Sequence, residues 1–128
     1  MSVASLRYLV LHVPNVWQTC EWYARVFGLP SVLSADASAA RLFLPGQVPL
    51  LFVSHDAQET RFGPRRLNSY LADPPALHLT MTTADVPALF VHALEHGAVP
   101  VREPEESPTG LVASLRDLNG LLVLLQEQ

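Results

Sequence analysis

The sequence predicts an α+β fold built from two tandem βαβββ units, and three observations lead there. The chain is self-similar: shifted by 70 positions, Tyr8, Leu9, Leu11, Asn15, Val16 and Pro30 fall on His78, Leu79, Met81, Asp85, Val86 and Pro100. Each copy opens on an alternating run that reads as a strand, followed by Asn or Asp and an apolar helical stretch. The 128 residues, 49% hydrophobic and 16% charged, are enough for a globular core. A period of this length is too long for a solenoid repeat and too short for two domains. The copies are therefore expected to form a single domain over 1–128. Its units, at about 3–55 and 76–127 with a linker at about 54–75, would make a curved mixed sheet around a central cavity.

The first unit begins with a strand over Leu6 to Val13, with Leu9, Leu11 and Val13 on one face and Tyr8, Val10 and His12 on the other. Pro14-Asn15 stops it, and Asn15 caps a helix from about Val16 to Phe27 that Gly28 terminates. Val16, Cys20, Tyr23, Ala24 and Phe27 recur along it at helical spacing. Short β-type runs follow at Ser31 to Ala35, Arg41 to Leu44 and Leu50 to Val53.

The second unit repeats this order. Ala76 to Thr82 is a strand with Leu77, Leu79 and Met81 on one face and His78, Thr80 and Thr82 on the other. Asp85 caps a helix bearing Leu89, Phe90, Ala93 and Leu94, with Pro87 in its first turn, where proline is tolerated. Strands are predicted at Val99 to Arg102, Val112 to Arg116 and Leu121 to Gln126. The last two are joined through Leu118-Asn119-Gly120, whose Asn-Gly step is a strong hairpin signal. Glu103, Glu105 and Glu106 fall in a Pro-rich stretch and read as a solvated loop. In both units the apolar face of the first strand is expected under the helix, which leaves its other face as a candidate cavity wall.

Composition excludes several functions. A net charge of -4 offers no general attraction for phosphate backbones, so nucleic acid is not an expected partner. The apolar run Leu9 to Val13, broken by His12, is far too short for a membrane span, and no signal-type segment opens the chain, so a cytoplasmic protein is expected. The lone Cys20 cannot form an intrachain disulfide and reads as an inert core thiol. His92-Ala93-Leu94-Glu95-His96 matches the spacing of inverted zinc proteases. The helix spends Leu89, Phe90, Ala93 and Leu94 on its buried stripe, however, which leaves His92, Glu95 and His96 toward solvent.

Leu11-His12-Val13-Pro14-Asn15, leading to Cys20-Glu21-Trp22-Tyr23 and Phe27-Gly28-Leu29, is similar to the opening strand, cap and aromatic-rich helix of the vicinal oxygen chelate superfamily. That group includes glyoxalase I, extradiol dioxygenases, and fosfomycin and bleomycin resistance proteins. Ser114 to Gly120 and the strand after it resemble the superfamily's C-terminal Asp-Pro-Asp-Gly hairpin. The resemblance spans essentially the whole chain. It implies the glyoxalase/bleomycin resistance fold, commonly as a homodimer, with a divalent ion in the metal enzymes held by four side chains from the first and last strands of both units.

Those four places here are Tyr8, Leu51, His78 and Leu124. Leucine has no lone pair to donate, so the resemblance points to the metal-free members that resemble bleomycin resistance proteins, with no cofactor. The expected function is sequestration of a small organic ligand by Tyr8, His12, Leu51, His55, His78, Thr80 and Leu124, with no assigned catalytic residue. Two alternatives stand beside it. One is a metal-dependent lyase, isomerase or dioxygenase with relocated ligands, and the other is a metal-free enzyme using Tyr8 or His78 as acid or base. Arg61, Phe62, Arg65, Arg66 and Tyr70, on the long connection, are candidates for a lid over an anionic or aromatic ligand.

Overall fold

The described residues form two short helices and eight strands in the order predicted, and the chain divides into compact units at Met1–Arg65 and Arg66–Gln128. The computed structural model describes residues 4, 6–33, 38–42, 50–54 and 77–128. The linker at 54–75 lies outside the described residues apart from Ser54, and so do His55 and the lid candidates Arg61, Phe62, Arg65, Arg66 and Tyr70.

The first unit contains β1 (Leu9–Val13), α1 (Val16–Phe27), β2 (Ser31–Leu33), β3 (Ala39–Leu42) and β4 (Leu50–Ser54). Its sheet order is β1-β4-β3-β2. β1 and β4 run parallel, which the crossover through α1 permits, while β2, β3 and β4 form an antiparallel meander. α1 begins where Asn15 Oδ1 accepts the Gln18 N–H at 2.8 Å. It ends where Gly28 takes a left-handed φ of 69° and donates its N–H to the Ala24 carbonyl. On the same helix Arg25 pairs with Glu21, one turn away.

α1 packs over β3 and β4 and reaches β2. The core beneath it is aromatic: Tyr23, fully buried, meets Phe52 with ring centroids 5.2 Å apart and Trp22 edge-on at 5.3 Å. Trp22 belongs to this core, whereas Trp17 on the same helix is exposed. Leu11 and Val13 are buried as predicted, but Leu9 is 38% exposed. The reason is strand order: β1 is an edge strand, and the helix sits over the middle of the sheet.

The second unit contains β5 (His78–Thr83), α2 (Val86–Glu95), β6 (Val99–Ser107), β7 (Gly110–Arg116) and β8 (Leu122–Glu127), with sheet order β5-β8-β7-β6. β5 is again an edge strand and is again parallel to the last strand. Asp85 Oδ1 accepts the Ala88 N–H at 3.0 Å, and Pro87 occupies the first turn of α2. The helix packs over β6, β7 and β8, burying Val86, Phe90 and Ala93 against Ala113, Leu115, Val123 and Leu125. Leu77, Leu79 and Met81, expected beneath it, remain only partly covered because β5 lies outside that footprint.

One local expectation is overturned. β6 does not stop at Arg102 but runs to Ser107 and pairs antiparallel with β7, so Glu103, Glu105 and Glu106 lie on a strand. The ladder absorbs Pro100 and Pro104 through register shifts between Pro100 and Arg102 and between Arg102 and Glu105. Proline cannot donate to a ladder and is tolerated at an edge or bulge, and β6 lies at the edge opposite β5. The exposed glutamates blunt that edge, and Arg102 bonds Glu105 at 3.3 Å.

The β7–β8 turn is built around Asp117. Its carboxylate is buried, and its Oδ1 accepts the N–H groups of Asn119 at 2.8 Å and Leu121 at 2.9 Å. The Asp117 N–H donates to the Leu121 carbonyl, and Gly120 supplies a φ of 90° that a side chain would resist. Arg116 closes the corner, donating to the Gly120 carbonyl at 2.7 Å.

Candidate ligand site

Strand pairing decides which side chains share a face. In the first unit Val10 stands beside Leu51 and His12 beside Val53 in the parallel ladder, while Arg41 is opposite Leu51 and Ala39 opposite Val53 in the antiparallel one. Paired residues point to the same side of a sheet. Val10, His12, Leu51, Val53, Ala39 and Arg41 therefore occupy the face away from Leu11, Phe52 and α1.

A hollow of about 250 Å³ opens in this unit, lined by Tyr8, Val32, Leu33, Ala39, Ala40, Arg41 and Leu51. It brings together Tyr8 and Leu51, two of the predicted site residues, on either side of the β1–β4 pairing. His12 sits further along the same face, half-buried. Val53 is fully covered and contributes no open surface. His55 lies outside the described residues.

The hollow also contains residues that the sequence reading left out, above all Arg41. Its guanidinium carbon lies 6.0 Å from the Tyr8 ring centroid, and that of Arg7 lies 5.3 Å from the same ring. Two cations therefore flank one phenol. Hydrogen bonding to Arg7 and the Arg7 charge hold the Tyr8 phenol below its ordinary value of 10.0; burial opposes this slightly, and Arg41 adds to the lowering. The signal for Arg41 was its strand parity. Using it requires the β3–β4 register, and Pro45-Gly46-Gln47-Val48-Pro49, which reads as a hairpin-like turn, leaves that register ambiguous by one or two residues.

In the second unit His78 stands beside Leu122, Thr80 beside Leu124 and Thr82 beside Gln126, so the predicted residues His78, Thr80 and Leu124 share one sheet face. Ser114, buried to 7% exposure, and Arg116 lie opposite Leu124 and Leu122 on that face. His78 and Thr80 are exposed and Leu124 is half-buried.

The ladders of the two units agree. Leu51 neighbours Val10, two residues beyond Tyr8, and Leu124 neighbours Thr80, two residues beyond His78. Leu51 and Leu124, at two of the places where the resemblance implies metal ligands, are alkyl groups with no lone pair to offer a divalent ion. Among the described residues no group of three or more His, Cys, Asp or Glu is placed to hold an ion. The described residues at these positions do not supply the donor set that the resemblance implies for the metal enzymes.

The remaining candidates have structural explanations. His92 and His96 meet edge to face on α2 with centroids 4.7 Å apart, and Glu95 beside them is exposed. Cys20 is buried in α1; burial pushes its thiol above the ordinary value, with a hydrogen bond from Ser31 acting in the opposite sense. No described helix is long and apolar enough to cross a membrane.

Comparison with known proteins agrees with this architecture. The family model for the glyoxalase-like domain matches residues 8–124. A hypothetical protein from S. aureus superposes with a TM-score of 0.82 at 17% identity, over 99% of this chain and 96% of that one. A glyoxalase/bleomycin resistance protein/dioxygenase family enzyme from Burkholderia phytofirmans PsJN gives 0.76 at 19% identity, over 97% and 98%. A glyoxalase-related enzyme from Fulvimarina pelagi gives 0.79 at 15% identity, over 98% and 89%. No curated protein matches significantly. At these identities the solved structures establish a common fold.

Proposed function

We propose that this chain, which belongs to the glyoxalase-like domain family, is a small-molecule binding protein that holds an organic ligand against its sheet surface without a metal ion. The observation that carries this reading is Leu51. It lines the hollow beside Tyr8, at a position where the resemblance implies a metal ligand in the metal enzymes, and it offers only apolar surface. A concave, mostly apolar lining with a few polar groups suits a small molecule of modest polarity.

Two measurements test this. Elemental analysis of protein expressed with added nickel, iron, manganese and zinc should find metal well below one equivalent after dialysis. About one equivalent retained would assign the chain to the metal-dependent lyases, isomerases or dioxygenases with relocated ligands. A thermal-shift screen of small organic molecules should yield stabilising compounds whose effect disappears in Leu51→Trp, which fills the hollow.

A second reading is favoured by the two arginines at Tyr8. A phenol held below its ordinary range gives up its proton more readily, so Tyr8 is the candidate acid or base of a metal-free enzyme. Turnover of a bound compound that is lost in Tyr8→Phe, with binding retained, would select this reading. His78, exposed in the second unit, is the other candidate from sequence and has no comparable setting.

The reading includes a homodimer, supported by the family resemblance, and no nucleic-acid partner given a net charge of -4. Light scattering on purified protein tests the dimer.

A further inference from the structure

We infer that the ligand of this hollow is an organic anion, a compact apolar or aromatic body carrying one carboxylate-like group, and that Arg41 is the residue that selects it. The inference rests on the reading of the hollow as a ligand site and adds the chemical class of the occupant.

Among the described lining residues, Val32, Ala39 and Leu51 share the sheet face of Arg41 and carry only carbon side chains, while Leu33 and Ala40 pair on the opposite face. Tyr8 adds a ring and a hydroxyl. Among the described residues of the wall Arg41 carries the charge, on a planar fork of N–H donors that suits a carboxylate.

What surrounds it strengthens the argument. The first unit has three arginines among its described residues, and Arg25 pairs with Glu21 on α1. Glu21 is also the single carboxylate among those residues. The other two arginines, Arg7 and Arg41, both stand against the Tyr8 ring and have no ion pair among the described residues. Among the described residues, two arginines that no described carboxylate pairs thus stand at the edge of an apolar hollow. A ligand seated against Val32 and Leu51 would exclude water near Arg41, and removing water strengthens attraction to an anion and makes a neutral or cationic head less favourable. At about 250 Å³ the hollow falls just below the usual range for drug-sized ligands, roughly 300–1,000 Å³, so one or two rings are the natural size.

The test compares naphthoate with naphthalenemethanol, which share a ring system and differ in the charge of the head group, by calorimetric titration of the full chain. The expected result is naphthoate binding about tenfold tighter than the alcohol, with a preference that shrinks as salt is raised. Arg41→Gln should bring naphthoate down to the level of the alcohol and leave the alcohol unchanged, while Arg41→Lys should keep part of the preference. Arg41 is exposed, so both variants should retain the wild-type circular dichroism and melting temperature. Equal affinity for both probes, or a naphthoate preference that survives Arg41→Gln, would overturn this inference and leave the organic-ligand reading intact. Failure of both probes to bind at millimolar concentration would overturn the two together.

Discussion

Leu51 and Val10 stand side by side in the parallel β1–β4 ladder, and this pairing turns Leu51 to the face of the hollow while its neighbour Phe52 points into the core. Adjacent residues in one strand therefore have opposite roles. Leu51→Trp should block ligand binding yet change stability by no more than about 1 kcal/mol, because the site is open. Phe52→Ala should cost about 3–5 kcal/mol, because it removes the ring that Tyr23 packs against. Urea titrations of both variants check this; similar losses in the two would mean that the face assignment is wrong.

The Asp117 turn should be among the costliest single polar sites in the second unit. Asp117→Ala leaves two N–H groups without the acceptor they share, and loss of about 2–4 kcal/mol is expected. Asp117→Asn keeps an oxygen at Oδ1 and should recover much of it. Equal destabilisation by the two variants would locate the effect in the charge rather than in the turn geometry.

Both helices start on a side-chain cap. Asn15→Ala and Asp85→Ala should each cost about 1 kcal/mol, and Asn15→Asp should be nearly neutral or mildly stabilising, since it keeps the acceptor and adds negative charge at a helix N-terminus. Denaturant midpoints at constant slope provide the check.

Burial raises the Cys20 thiol above its ordinary value of 9.0, so folding favours the protonated form. The sign follows from linkage: the unfolded chain loses this proton first, so the stabilisation is complete below about pH 9 and is lost as pH rises through the native value. The stability difference between wild type and Cys20→Ala should therefore narrow on going from pH 8 to strongly alkaline solution, and thiol reagents should react slowly with native protein and fast after unfolding. A difference that stays constant over that range would contradict the assignment.

The Tyr8 phenol should titrate below its ordinary range, and Arg7→Gln should move it upward more than Arg41→Gln does, because Arg7 contributes the hydrogen bond as well as charge. Ultraviolet difference titration of single-arginine variants, each referenced to a matching Tyr8→Phe control, reads this directly. An equal shift from both arginines would remove Arg7 from its leading role.

Much of the architecture was legible because its signals are local. Asn15 and Gly28 bracket α1 with a cap and a left-handed stop, and the residues between them recur at helical spacing, so the helix follows from neighbours in sequence. The repeat at 70 positions supplied the second unit from the first. Strand β6 was misread because Pro100 and Pro104 argue against a ladder, and only the edge position with its register shifts makes them acceptable there. The partial exposure of Leu9, Leu77, Leu79 and Met81 was equally invisible, since it depends on which strands lie beneath the helices.

The sequence by itself determined the order and kind of the elements and the repeat, and it set alkyl side chains at Leu51 and Leu124. Each of these rests on residue identity and short-range periodicity, which require no knowledge of distant contacts. Only the tertiary structure decided that Arg41 and Val32 join Tyr8 and Leu51 around one hollow and that Arg7 shares the Tyr8 ring. Strand register sets these neighbours. Register is fixed by pairing between segments more than thirty residues apart, as Val10 and Leu51 are, and a slip of one residue would have sent every side chain of β4 to the opposite face.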